Sequence, residues 1–178
     1  MTVDVFIRSS RNLTPLRQAM FDATRIRWEM DPLANLHVLL DNGIKEARIV
    51  ADSWSKSDPY IFTDDDVLPM GKRFIERGRD TMLAHPEYAV CSTLSLIEGE
   101  NVSKGDGDIY EVRSVGSPMW IRKGILTDLP DMDLNLECGK IDSLVYAKGF
   151  KEGLFGNGLR HLHLGHGFSS NPQLHWAA

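Results

Sequence analysis

The stretch Tyr60-Ile61-Phe62-Thr63-Asp64-Asp65-Asp66-Val67-Leu68-Pro69 constrains this chain more than any other. Three apolar or aromatic residues lead through Thr63 into three carboxylates, and a proline closes the segment. Aromatic and β-branched residues favour strands while aspartate disfavours them, so the pattern predicts a buried strand ending in acids. Ligands of open α/β sheets bind outside the carboxyl ends of the strands. Three acids there repel one another at neutral pH unless a cation or a donor offsets their charge. The stretch therefore predicts a divalent-metal site at a strand end. Alternate strand residues share a face, which puts Asp64 and Asp66 together and Asp65 opposite. Paired oxygens of this kind suit Mg²⁺ or Mn²⁺ shared with substrate phosphates. The competing reading is structural, with one Asp capping the next helix and the others solvated.

The segments around this stretch predict an α/β fold. Val3 to Ile7 reads as the first strand, running into the donor-rich loop Arg8-Ser9-Ser10-Arg11-Asn12. Thr14 before Pro15 is a helix start, Thr as N-cap and Pro at the first helical position. Leu16, Ala19, Met20, Ala23 and Ile26 then recur at helical spacing, with Arg17, Gln18, Asp22, Arg25 and Arg27 turned outward. Leu36 to Leu40 is a second strand, stopped by Asp41-Asn42-Gly43. Strand, helix, strand in this order implies parallel pairing and a right-handed crossover. A helix after Pro69, a strand over Tyr88–Leu94, an edge strand over Ile109–Val115 and a helix over Ile141–Gly149 complete the reading. The expectation is a single domain over 1–178, three-layered (α/β/α) with a mostly parallel, Rossmann-like sheet.

Two further groups could carry chemistry. His161, His163 and His166 lie within six residues, with His161 and His163 on one strand face. Imidazole joining carboxylates favours a transition metal such as Mn²⁺; the alternative is three surface histidines. Asp142, near the start of its helix, is either a dipole-stabilised capping residue or a general base, with Asp131, Asp133 and Glu137 as competitors. Arg8 and Arg11 could meet phosphates, and Asp41 a base or ribose; each could equally be solvated surface. A net charge of -5 over 178 residues disfavours non-specific nucleic-acid binding. The two cysteines, Cys91 and Cys138, read as buried hydrophobes in a reducing compartment. The first residues do not form a signal peptide and no apolar run is long enough to span a bilayer, so a cytoplasmic protein with no membrane partner is expected.

In this order, the features resemble the GT-A-fold nucleotide-sugar glycosyltransferases, family 2-like. Val3 to Arg11 resembles that family's opening strand and nucleotide-contacting loop. Leu39-Leu40-Asp41-Asn42 is similar to the strand end whose acid holds the nucleobase. Phe62 to Pro69 resembles the DxD segment, which implies a ribose and metal role for Asp64, a metal role for Asp66 and a ribose neighbour in Asp65. Lys140 to Phe150 is similar to the helix carrying the family's acidic base, which implies Asp142, although the usual preceding Glu is Ile141 here. His163-Leu164-Gly165-His166-Gly167-Phe168-Ser169 resembles the segment that supplies a metal-binding histidine, which implies His163 or His166.

The resemblance implies a hexosyl- or pentosyltransferase that uses Mn²⁺ or Mg²⁺ and a nucleotide-sugar donor bound at Arg8, Ser9, Arg11, Asp41, Asp64 and Asp65. It implies inverting transfer to an acceptor hydroxyl. The acceptor is open, a modified DNA base of phage type included, for which Arg113, Arg122 and Lys123 are the candidate basic groove. The chain is shorter than catalytic domains usual in that family, with a small acceptor region between Glu98 and Asp133. That leaves room for an oligomer whose partner subunit completes the site. Rival readings are a non-catalytic nucleotide-sugar-binding module and a sugar nucleotidyltransferase, the latter opposed by the absence of glycine in Arg8-Ser9-Ser10-Arg11.

Overall fold

A computed structural model describes residues 1–96, 107–113, 115–127, 137–156 and 158–164, without the side chains of 44, 137–140 and 142. Its elements run β1 (Val3–Ser9), α1 (Pro15–Glu29), β2 (Ala34–Leu40), α2 (Ile44–Trp54), β3 (Tyr60–Asp64), β4 (Val67–Met70), α3 (Phe74–Ala84), β5 (Tyr88–Ser92), β6 (Leu94–Ser95), β7 (Ile109–Val112), β8 (Met119–Ile121), α4 (Glu137–Ala147), β9 (Lys151–Phe155) and β10 (Arg160–His163). A seven-stranded sheet has the order β2-β1-β3-β8-β5-β9-β7. Pairing is parallel between β2, β1 and β3 and between β5 and β9, and antiparallel where β8 and β7 join. A small sheet, β4-β10-β6, stands apart from it.

Alternation along the strands builds a core on each face. Val3, Val5, Ile7, Ile61 and Trp120 pack with Trp28 of α1 and with Phe74, Ile75 and Met82 of α3. Phe6, Tyr60, Phe62, Met119 and Ile121 pack with Ala47 and Ala51 of α2 and with Ile141 and Val145 of α4. This is the expected three-layer α/β/α arrangement. Gly78 sets the spacing of α3, because a Cβ there would lie 2.6 Å from the Trp120 indole.

Several local expectations change. Thr14 caps α1 through Arg17 N–H and Pro15 opens it, as its sequence predicts. Its buried stripe, however, is Met20, Thr24 and Trp28, while Leu16 and Ile26 are about half exposed. Trp28 buries more apolar area than Leu16 or Ile26 could, so the helix is rotated to seat it, and Arg17 turns inward. Pro69 does not lead directly into a helix. It lies in β4, an edge strand of the small sheet, where a residue without an N–H is tolerated. Strand β9 has no apolar signature: Glu152 is buried, and Gly153 is required where a Cβ would strike Ile109 and Tyr88. Helix α4 begins at Glu137, four residues before the expected start, so Asp142 lies in its second turn and not at its dipole end.

Candidate functional site

The parallel strands β2, β1 and β3 end side by side, and the loops leaving them carry the polar groups singled out in the sequence. Arg8 and Asp64 are direct partners in the β1–β3 register. The Arg8 guanidinium donates to Asp64 Oδ1 at 3.1 Å, and the Asp64 backbone N–H donates to Ser117 Oγ at 2.9 Å. Asp64 is thus pinned at the strand end and still partly exposed. Beyond it the chain turns, and strand alternation stops.

The turn brings together Asp65 and Asp66, where alternation predicted Asp64 and Asp66. Both are buried, at 4% and 2% exposure. Arg17, in the first turn of α1, reaches across them. Its Nη2 pairs with Asp65 Oδ1 and its Nη1 lies 2.7 Å from Asp66 Oδ2. Ser9 Oγ donates to the other oxygen of Asp65 at 2.7 Å. Burial pushes the Asp65 carboxyl up from its ordinary value, and the Ser9 and Arg17 donors offset this only in part. Burial pushes Asp66 the same way, but His163 and Arg17 overcome it and hold its carboxyl below the usual range. The two acids raise the Arg17 guanidinium in turn, against its own burial.

His163 arrives from β10, whose antiparallel register with β4 sets it opposite Val67. Its Nε2 lies 3.0 Å from Asp66 Oδ1. The Leu164 N–H donates to the Asp66 carbonyl at 2.8 Å and fixes the approach. Asp66 Oδ1 is buried, and among the described residues it meets the His163 imidazole as an ion pair but accepts no hydrogen bond of good geometry. The His161 ring lies 6.5 Å from that of His163, and its Nδ1 pairs with Thr93 Oγ1 at 2.8 Å. His166 and the competitors Asp131 and Asp133 lie outside the described residues, as does the Asp142 side chain.

A carboxylate oxygen and an imidazole nitrogen are a donor set for Mn²⁺. Adjacent ligands about an octahedral ion with bonds of roughly 2.1 Å stand about 3 Å apart, the spacing of Asp66 Oδ1 and His163 Nε2. The unsatisfied buried oxygen and this spacing fit a divalent ion at that pair. Among the described residues no three His, Cys, Asp or Glu side chains converge on one point.

Asp41 is occupied within the protein. It takes a positive φ at the end of β2, and its carboxylate accepts the Arg11 N–H at 2.8 Å and Ser10 Oγ at 3.1 Å, with Arg11 Nε at 3.2 Å. The Arg11 amide and the Ser10 hydroxyl, with the Arg11 charge, hold its carboxyl below the ordinary value. The proposed basic groove does not assemble as expected: Arg122 donates to the carbonyls of Tyr88 and Met82, and Lys123 to that of Ser55. A cleft of about 870 Å³ beside Arg113, lined also by Glu111, Ser143 and Tyr146, opens at the far edge of the sheet. Strands β8, β5 and β9 separate it from β3.

The sequence reading overlooked Arg17 and Ser117. A signal for Arg17 was present, because Thr14-Pro15 fixes the helix start directly after the β1 loop and so places its first turn above the strand ends. Ser117 carried none, since it reaches Asp64 from 53 residues away.

No family model and no curated protein matches this chain. Solved structures do match. TarS 1-349 of S. aureus in complex with UDP-GlcNAc aligns with TM-score 0.60 and 14% identity over 91% of this chain and 58% of that one. GalNAc-T7 with UDP, GalNAc and Mn²⁺ aligns with TM-score 0.59 and 11% identity over 91% of this chain and 43% of that one. CMP:2-keto-3-deoxy-manno-octonic acid synthetase complexed with CTP aligns with TM-score 0.58 and 10% identity, over 96% of each chain. The chain spans about half the length of the two glycosyltransferases. At these identities the likeness concerns the fold, and the fold is GT-A, the one that the sequence resemblance implied.

Proposed function

We propose that this chain is a metal-dependent glycosyltransferase that moves a hexosyl or pentosyl group from a nucleotide sugar to an acceptor hydroxyl with inversion. The observation that carries the reading is Asp66, buried at the ends of the parallel strands with one oxygen on Arg17 and the other unsatisfied beside His163. Asp66 and His163 would hold Mn²⁺ or Mg²⁺, with Asp64 at the rim and His166 as a further candidate ligand. When bound, the metal offsets charge on the departing diphosphate. Arg8, Ser9 and Arg11 would line the nucleotide side, Asp65, whose oxygens are taken by Ser9 and Arg17, would act near the ribose through those two residues, and Asp41 would meet the base either directly or by shaping the 9–12 loop. Asp142 is the proposed general base. The commitments of Arg122 and Lys123 do not favour DNA as acceptor. The neighbours' UDP and UDP-GlcNAc make UDP-sugars the first donors to try.

The test is a screen of nucleotide sugars for release of nucleoside diphosphate, with and without Mn²⁺. Metal-dependent release is expected, and removed by Asp66→Ala. Full activity of that variant would exclude the metal role. Metal-dependent nucleotide binding without turnover on any donor or simple acceptor would favour a binding module.

One observation favours a second reading. The synthetase complexed with CTP shares the fold at a TM-score of 0.58, beside 0.59 and 0.60 for the two glycosyltransferases. Nucleotidyl transfer would release pyrophosphate from a nucleoside triphosphate and a sugar or sugar phosphate, which a coupled pyrophosphate assay separates from diphosphate release. The glycine-free Arg8-Ser9-Ser10-Arg11 loop weighs against it.

A further inference from the structure

The acid cluster already contains a cation. Three carboxylates, of Asp64, Asp65 and Asp66, face two guanidiniums, of Arg8 and Arg17. Arg17 bridges Asp65 and Asp66, and its Nη1 sits 2.7 Å from the carboxylate whose other oxygen faces His163. A divalent ion at the Asp66–His163 pair would therefore stand a few ångström from a fixed positive charge, in a partly buried setting where such charges interact strongly. A diphosphate reverses the balance, since its negative charge is attracted to the ion and to Arg17 alike. We propose that Arg17 makes metal binding conditional on the nucleotide. It keeps the acid pair assembled, holds the metal affinity of the free protein low, and joins the metal in binding the diphosphate. This rests on the Asp66–His163 metal reading given above.

Free Mn²⁺ is followed by electron paramagnetic resonance during titration of the wild type, Arg17→Gln and Arg17→Lys, each with and without UDP or GDP. In the wild type, nucleotide is expected to tighten Mn²⁺ binding at least about tenfold, and Mn²⁺ to tighten nucleotide binding by the same factor in calorimetry. Arg17→Gln is expected to bind Mn²⁺ alone at least about tenfold more tightly than the wild type and to lose most of the coupling. Arg17→Lys, which keeps the charge, is expected to stay near the wild type. Equal Mn²⁺ affinity in wild type and folded Arg17→Gln overturns the role of Arg17 and leaves the metal site standing. Should Arg17→Gln not fold, the wild type still decides, because Mn²⁺ binding that nucleotide does not tighten overturns the proposal. Absence of Mn²⁺ binding in every protein, with or without nucleotide, overturns the metal reading beneath it.

Discussion

Two carboxylates, Asp4 and Asp66, are buried at opposite ends of the same parallel strands, and they are treated in opposite ways. Asp4, near the start of β1, is saturated. It accepts from Asn35 Nδ2 at 2.6 Å, the Lys56 N–H at 2.6 Å, the Ser57 N–H at 3.0 Å and Ser55 Oγ at 3.2 Å, with His37 Nε2 at 3.0 Å. Although burial opposes it, these donors bring its carboxyl down to about 2. Its work is to tie the 55–57 loop under the sheet, and no polar atom is left over. Asp66 instead has a guanidinium on one oxygen and, among the described residues, an imidazole at 3.0 Å without hydrogen-bond geometry on the other. A buried carboxylate with a complete shell of donors stabilises a fold, whereas one with an incomplete shell costs stability and invites a ligand. The same residue type thus serves architecture at one end of the strands and chemistry at the other.

Substituting the two acids in turn breaks the comparison most directly. Asp66→Asn should lower diphosphate release on the order of a thousandfold, the scale of losing a Lewis acid, with a thermal loss beside it that is softened because Arg17 keeps Asp65 as a partner. Asp4→Asn should act on stability alone. Its loss is about 2 kcal/mol, from the fall of the carboxyl from 3.8 to about 2, which lowers the midpoint by roughly 4–8 °C for a chain of this size. Activity below the transition should persist. A thermal collapse of Asp66→Asn with normal activity in Asp4→Asn at the same temperature would assign Asp66 to architecture as well.

Acid should isolate the Asp4 contribution when the wild type is compared with Asp4→Asn. Asp4 has a depressed carboxyl, so its contribution is complete above the unfolded value near 4 and is lost as pH falls toward about 2. Urea midpoints at pH 7, 4 and 2.5 should show this drop in the wild type and a smaller one in Asp4→Asn. Equal drops in the two proteins would remove Asp4 as the cause.

The strand ending in acids, the capped α1, and the β1–α1–β2 crossover were legible because each depends on neighbours in sequence. The site was legible only in outline. The acid cluster is legible, but strand alternation sets Asp64 beside Asp66, whereas Arg17 bridges Asp65 and Asp66 because the chain leaves β3 at Asp64 and turns. The helical spacing of Leu16 and Ile26 turns Arg17 outward, and only packing reveals that Trp28 decides the rotation of α1. β9 was missed because Glu152 and Gly153 fit that strand through partners distant in sequence. Proximity of His163 to Asp66 depends on β10 pairing with β4, a contact between residues almost a hundred positions apart that only the resemblance suggested.

The smallest expected effect probes Asp65, the third buried acid. Its carboxyl is raised by burial, the opposite of Asp4, and Ser9 Oγ is the donor that opposes the shift most. A raised carboxylate contributes unfavourably above its folded value and is relieved as pH falls through it. Ser9→Ala should therefore cost about 1–2 kcal/mol at pH 7, where the lost hydrogen bond is to a charged acceptor, and about half that once Asp65 is protonated. Urea unfolding of wild type and Ser9→Ala across pH 7 to 4 measures the gap between them, which should narrow with acid, while the gap between wild type and Asp4→Asn should hold to pH 4 and close only below it. A Ser9→Ala gap that stays constant from pH 7 to 4 would mean that Asp65 does not change its charge in that range, and would remove its titration as the source of the pH dependence.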